Sequence, residues 1–335
     1  MIYGFSYMKL QQLRYLTEIA RRGLNVSEAA DALHTSQPGV SKQIRALEEE
    51  LGIDVFVRHG KRLVSITEPG KTVIAIAERI LSEANNLRRA GEEFANEKLG
   101  TLTIAATHTQ ARYALPKAVA QFKKKYPSVQ LRIHQGNPTQ ICEQVLAGDA
   151  DLCVATEAIA LYPELVSLPV YQWNRCVVVP PKHPLLKVNP LTLEALAQFP
   201  IVTYDFAFAG RSLVNKAFET RGLTPNIVLT ALDADVIKTY VEFGLGIAIV
   251  PDMAYDRVRD KHLRDIVASH LFEPNTIHIG IRRNHYLRGF MFAFIEMFAP
   301  HLKRATVEQA IARMATRSSK VGDALGGMSA AYRVP

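Results

Sequence analysis

Cysteine is scarce in this 335-residue chain: Cys142, Cys153 and Cys176 are the only three, an odd number with neither metal-ligand nor redox spacing. A disulfide framework and a cysteine-held zinc site are therefore not expected, and the thiols read as buried and free. Tryptophan is scarcer still, with Trp173 alone. Long apolar runs are missing too. The run from Phe290 to Phe298 falls far short of the roughly 18 to 20 residues a membrane span needs, and it carries Glu296. Met1 to Tyr7 lack the basic start, long apolar centre and cleavage site of a secretory leader, so a cytoplasmic location is expected, with 1–8 read as an N-terminal extension. The histidines, His108 among them, show no H-E-x-x-H or comparable spacing, so neither a metal nor a cofactor is expected.

Signatures of catalysis are equally sparse. Gly244-Leu245-Gly246 precedes a β-type run instead of following one, which is the wrong context for a dinucleotide loop. Gly210-Arg211-Ser212 is no nucleophile elbow, because Val214 stands where the second glycine belongs. Asp149 and Asp151 bracket a strand start and need no catalytic role. An enzyme is not expected.

What is present is a globular composition, 48% hydrophobic and 21% charged, on a chain long enough for two or three folding units. Net charge is +8 with a pI near 9.3, compatible with a polyanionic partner. In the first hundred residues acids such as Glu48, Glu49 and Glu50 nearly match the bases, so residue pattern, not charge, has to identify a nucleic-acid domain.

Leu10, Leu13, Leu16, Ile19 and Ala20 recur at helical spacing before Gly23. Ser27 has the chemistry to cap a second, short helix carrying Ala29, Ala30 and Leu33. After a tight turn, Ser36 or Thr35 can cap a third, with Pro38 in its first turn, Val40, Ile44, Leu47 and Leu51 on one side, and Gly52 at its end. Two short β-type runs, 55–57 and 63–66, flank His59-Gly60-Lys61-Arg62 and read as a wing. From Val73 through Ala77, Ile80, Ala84, Leu87 and Gly91 to Phe94 the apolar positions alternate by four and three, a heptad seam that predicts a dimerising helix or one packed on its own chain.

A helix-turn-helix presents the N-terminal part of its second helix to the major groove. Here Ser36, Gln37, Pro38, Ser41, Lys42 and Arg45 occupy that position. Gln37 can pair with adenine, while Lys42 and Arg45 suit phosphates or guanine. Lys61 and Arg62 of the wing suit phosphate or minor-groove contact. The bland alternative is a solvated polar face.

Beyond Gly100, short β-rich runs alternate with helical segments, as in an α/β protein. We expect strands at 102–106, 129–134, 152–155, 176–179, 201–204, 227–231, 247–250 and 276–281, and helices at 111–126, 139–147 and 289–303. The strand at 276–281 is expected to return to the first unit, giving two lobes joined by two crossings. Thr107-His108-Thr109-Gln110, between a strand and a helix, offers hydroxyls, an amide and free N–H groups suited to an anion. Phe208-Ala209-Gly210-Arg211-Ser212 offers a second such start, so two facing loops could clamp a small anion; ordinary N-capping is the alternative for each.

The segment Lys9 to Gly70 closely resembles the LysR-type transcriptional regulators, in the run from Ala29 to Ile44, in Leu47-Glu48-Glu49-Glu50-Leu51-Gly52, in Phe56 and Arg58, and in Thr67-Glu68-Pro69-Gly70. The resemblance implies an α/β protein with an N-terminal winged helix-turn-helix at 9–68, a linker dimerisation helix at 69–99, and a two-lobed effector domain resembling periplasmic binding proteins. Lobe I would be 100–170 plus 273–304 and lobe II 171–272. The likeness runs to about Ala315; beyond it Ser318, Ser319, Gly322, Gly326 and Gly327 dilute the apolar content, so a mobile tail is expected at 316–335. The resemblance also implies double-stranded promoter DNA and RNA polymerase as partners, a homodimer or homotetramer, and Arg58 among the DNA-contacting residues.

Lys9 to Tyr15, the two loops and Asp233 to Val241 look like the CysB branch of that family. That branch implies control of sulfur assimilation and cysteine biosynthesis genes by acetylserine or a sulfate-like anion, with Thr107, Thr109, Gln110 and Trp173 lining the effector cleft; the two anion-suited loops add His108, Ala209, Gly210, Arg211 and Ser212 to the expected effector set. Core packing is the other reading of Trp173. Ala209 departs from the branch, which usually has threonine there, and so removes one hydroxyl. A sulfonate-utilisation regulator sensing adenosine phosphosulfate is the nearest alternative. A transporter's solute-binding protein is the alternative of another class.

Overall fold

The computed structural model describes residues 8–60, 62–205 and 209–313, side chains of 157, 158 and 209–212 excepted. Residues 1–7 of the expected extension, Lys61, the side chains of Ala209, Gly210, Arg211 and Ser212, and the expected tail at 316–335 lie outside the described residues. The chain divides at Gly91 into two compact units.

The first unit opens with α1 (Leu10–Arg21), α2 (Val26–Ala32) and α3 (Gln37–Leu51), followed by antiparallel β1 (Phe56–His59) and β2 (Arg62–Ile66). Leu13, Leu16, Ile19, Ala29, Ala30, Val40, Ile44, Leu47, Val55 and Phe56 share one core. Asn25, not Ser27, caps α2: its side chain accepts from the Ser27 and Glu28 amides at 3.1 and 3.2 Å. Gly23 and Leu24 both take positive φ, and this tight reversal delivers Asn25 in extended conformation one residue before the helix. Ser36 caps α3 as expected, and Gly52 ends it with φ of 68°.

α4 (Glu68–Ala95) runs for 28 residues, about 42 Å at 1.5 Å per residue. Thr67 fixes its start: the hydroxyl donates to the Asp54 carbonyl at 2.7 Å and accepts from the Gly70 amide at 2.9 Å. A side chain at Gly70 would place its Cβ 2.2 Å from the Val55 carbonyl oxygen, so the close approach requires glycine. Ile74 and Ala77 are buried in the unit's own core, whereas Leu87 and Phe94, further along the seam, are 77% and 90% exposed.

The second unit contains two five-stranded sheets. In the first, β3 (Gly100–Ala106) pairs in parallel with β4 (Val129–Gln135) and β5 (Leu152–Ala155), while β12 (Asn275–Arg282) lies antiparallel between β5 and β6 (Leu165–Trp173). The second has the order β11-β7-β10-β8-β9, built from β7 (Arg175–Val179), β8 (Ile201–Tyr204), β9 (Ile227–Ala231), β10 (Ile247–Pro251) and β11 (Arg264–Val267). The chain therefore crosses between sheets after β6 and returns before β12.

Helices cover these sheets: α5 (Leu115–Lys125), α6 (Pro138–Ala147), α7 (Leu193–Ala197), α8 (Ala209–Thr220), α9 (Ala234–Glu242) and α10 (Gly289–Phe298). The single helix expected over 111–126 is broken into a π-helical turn, Gln110–Ala114, followed by α5. Pro116 lacks the N–H that would continue an α-helical ladder back to Arg112, and the hydrogen-bond register changes there. The helix expected over 289–303 stops at Phe298, because Pro300 drives Ala299 to φ of −133°; a separate helix spans 304–313.

At the crossings, Arg175 is 4% exposed, donates to the Glu273 carbonyl at 2.9 Å and to Asn275, and stacks on Trp173 with its guanidinium carbon 5.0 Å from the ring centroid. The three cysteines are free and buried; burial pushes the Cys176 thiol up to about 12.

Candidate functional site

The face of α3 follows from its sequence. Val40, Ile44 and Leu47 turn into the core, so Gln37, Pro38, Lys42 and Arg45 are left exposed, with Ser41 half-buried and within 3.3 Å of the Gln37 amide nitrogen. Ser36 is exposed, but its hydroxyl is engaged with the Gly39 amide at 3.3 Å. Arg62 is exposed on β2. Arg58 differs from these: its guanidinium is bound to Glu48, a carboxylate only 6% exposed that also accepts from the Val55 and Phe56 amides at 2.8 and 3.1 Å. Arg58 thus ties α3 to the wing.

In the second unit, Thr107 follows β3, Asp205 follows β8 and Asp233 follows β9, so three loops leave the carboxyl ends of parallel strands, where α/β sheets bind ligands. Thr107 and His108 are half-buried, while Thr109 and Gln110 are buried. The Thr109 hydroxyl lies 3.5 Å from the Tyr204 hydroxyl, across from one lobe to the other. Gln110 Oε1 accepts from the Tyr171 hydroxyl at 2.7 Å. Burial holds both phenols, Tyr171 and Tyr204, above the usual tyrosine range. Trp173 ends β6 in the core of the first lobe, 7% exposed, with its Nε1 buried and unpartnered. Of the second loop, the backbone places Ala209 and Gly210 in the first turn of α8.

The wall facing Thr107–Gln110 comes from α9 and includes residues that spacing did not single out. His108, Asp233 and Asp235 bring ligand atoms within 4.8 Å of one another. Asp235 is already matched by cations of the protein, with Arg112 Nε at 2.6 Å and Lys238 Nζ at 3.6 Å, so no metal is assigned. Tyr113, Tyr171, Tyr204 and Lys238 were also missed as wall residues. For Lys238 the only sequence signal is the amphipathic run Asp233 to Val241, which shows a helix but not what it faces; the three tyrosines, on the π turn, β6 and β8, carry no local signal.

A winged helix-turn-helix joined to a two-sheet domain with loops converging on strand ends defines a DNA-binding regulator with a small-molecule domain. Residues 10–71 match the bacterial regulatory helix-turn-helix proteins of the lysR family, and 95–303 match the LysR substrate binding domain. The chain belongs to the LysR family of transcriptional regulators. It is 54% identical over 304 residues to the HTH-type transcriptional regulator CysB of Burkholderia cenocepacia, covering 91% of this chain and 97% of that one. With the HTH-type transcriptional regulator SsuR of the same organism it shares 51% over 300 residues, 90% of this chain and 97% of that protein. The crystal structure of the cofactor-binding domain of the Cbl transcriptional regulator superposes with a TM-score of 0.62 at 38% identity, covering 64% of this chain and 93% of that one. Among the described residues, no helix is long and apolar enough to cross a membrane.

Proposed function

We propose that this chain controls sulfur assimilation and cysteine biosynthesis genes in the cytoplasm, binding promoter DNA through α3 and the wing and taking acetylserine or a sulfate-like anion between its lobes. The observation that carries this reading is the 54% identity to a CysB regulator across 97% of that protein, both units included. Gln37 and Ser41 read bases; Ser36, Pro38, Lys42, Arg45, Lys61 and Arg62 fit the helix and wing to the backbone. Arg58 acts by holding the wing on Glu48. Thr107, His108, Thr109 and Gln110 bind the effector with Ala209, Gly210, Arg211 and Ser212. Trp173 stiffens the floor beside the crossing. The exposed apolar half of the α4 seam supports a homodimer or a homotetramer built from dimers, with RNA polymerase as the further partner at the promoter.

The effector is bound by the folded state, so it raises the unfolding temperature, by the equivalent of about 2.7 kcal/mol at 100 times its dissociation constant. Thermal unfolding of the full chain with acetylserine, sulfate, thiosulfate, a sulfonate and adenosine phosphosulfate tests the reading. A selective rise with acetylserine or sulfate is expected. A rise only with the sulfonate or the nucleotide moves the protein to sulfonate control, and no rise with any of them refutes a sulfur effector.

A further inference from the structure

Beside the loop Thr107–Gln110, two elements from opposite lobes meet. The π-helical turn of the first lobe supplies Arg112 and Tyr113, and α9 of the second supplies Asp235 and Lys238. The Tyr113 hydroxyl donates to Asp235 Oδ1 at 2.7 Å and accepts from Lys238 Nζ at 3.3 Å. Arg112 Nε lies 2.6 Å from Asp235 Oδ2. The Tyr113 ring packs against the second lobe's core, whose buried members include Ile237, Val250 and Ala254. A side chain of one lobe is thus seated in the other.

We propose that Tyr113 is the positioning residue of a latch that holds the two lobes closed over the effector loops. The second-lobe half is assembled without the first: Lys238, 6% exposed, is fixed by both Asp260 oxygens at 2.9 Å and by the Ala254 carbonyl at 2.7 Å. Opening therefore breaks the bonds of Tyr113 and Arg112, together with the Thr109–Tyr204 and Tyr171–Met253 contacts between the lobes, and leaves Lys238 with Asp260. Asp235 and Arg112 are both partly exposed, so water can replace their contact, which makes the latch reversible. The moving half is covalently continuous with Thr107–Gln110, and Gln110 is itself the first residue of the π turn. π-turns inside helices occur frequently at functional sites. Displacing the effector loop would carry Tyr113 with it. The latch rests on the proposed effector reading only for what closes beneath it.

The test uses the full-length chain with spin labels on Lys124→Cys in the first lobe and Glu219→Cys in the second, both exposed in the wild type, while the native cysteines are buried. Labelled subunits are diluted with unlabelled ones so that distances within one chain are read. Losing a hydrogen bond to a charged group at a half-exposed site should raise the open fraction by about tenfold. A longer-distance population is expected in Tyr113→Phe and in Arg112→Gln, restored toward wild type in Arg112→Lys. The effector midpoint should rise together with the open fraction. Identical distance distributions in wild type, Tyr113→Phe and Arg112→Gln would overturn the latch, and should Tyr113→Phe fail to fold, the two Arg112 variants decide the matter. If no sulfur compound binds, the effector reading fails while the distances still decide the latch.

Discussion

Replacing Glu48 should unseat the wing from the DNA-facing helix and leave the second unit untouched. Its carboxylate is 6% exposed and accepts from two amides, Val55 and Phe56, besides the Arg58 guanidinium. Glu48→Ala strands all three donors. Removing one partner of a buried pair typically costs about 3 to 5 kcal/mol, and the Arg58 side chain, 26% exposed, can recover some hydration, so the lower end, about 3 kcal/mol, applies. Glu48→Gln keeps an acceptor oxygen and should cost roughly 1 to 2 kcal/mol. Urea unfolding separates the units, because Trp173 is the only tryptophan and lies in the second one. Helical circular dichroism follows both units, whereas tryptophan emission follows the second alone. At a slope near 1 kcal/mol/M for a unit this small, Glu48→Ala should move the first dichroism transition down by roughly 3 M, or leave that unit unfolded without urea. Glu48→Gln should move it by about 1 to 2 M. A shift below about 0.5 M in Glu48→Ala, or an equal shift in tryptophan emission, would refute the reasoning.

Two further outcomes are expected. Gln37→Ala should weaken operator binding far more than binding to unrelated DNA, while Lys42→Ala should weaken both alike and reduce the salt slope by about one, as a phosphate contact does; gel shifts across a salt series distinguish them, and equal losses for Gln37→Ala would remove it from base reading. For pH, burial pulls Lys238 down, but its bonds to Asp260 and Tyr113 win and leave it raised, and burial raises Tyr113, Tyr171 and Tyr204. Groups with raised folded values contribute stability in full below their unfolded values, near 10 to 10.4, and lose it as pH climbs through the folded ones. The buried Cys176 thiol, raised to about 12 from an unfolded value of about 8.5, adds to this. The tryptophan-reported urea midpoint should therefore begin to fall at about pH 8.5 and fall more steeply above about 10. A midpoint that holds level from about pH 8 to 11 would contradict the assignment.

What the sequence made legible is what local periodicity and turn chemistry can carry. Val40, Ile44 and Leu47 recur at helix spacing and bury one side of α3, so the exposed set Gln37, Lys42 and Arg45 follows without any tertiary information. Capping was harder to read: Asn25 and Ser27 are both good caps, and the positive φ of Gly23 and Leu24 chose between them. β6 escaped notice because Pro169 interrupts its pattern. The sheet absorbs that proline at an edge strand, where the pairing with β12 shifts register. β11 escaped because an edge strand reading Arg-Asp-Ile-Val buries little.

The candidate cleft shows the limit most sharply. Thr107 to Gln110 were legible because a strand end followed by a helix start is a local signal. Tyr113 and Asp235 lie 122 positions apart and meet only because β6 leads out of the first sheet and β12 leads back, so that α9 is brought against the π turn. The contact depends equally on Pro116, since an uninterrupted α-helix would change the angular positions of Arg112 and Tyr113 relative to Thr107. A local irregularity and a two-crossing topology together aim the tyrosine, and neither has a periodicity that a linear reading could detect.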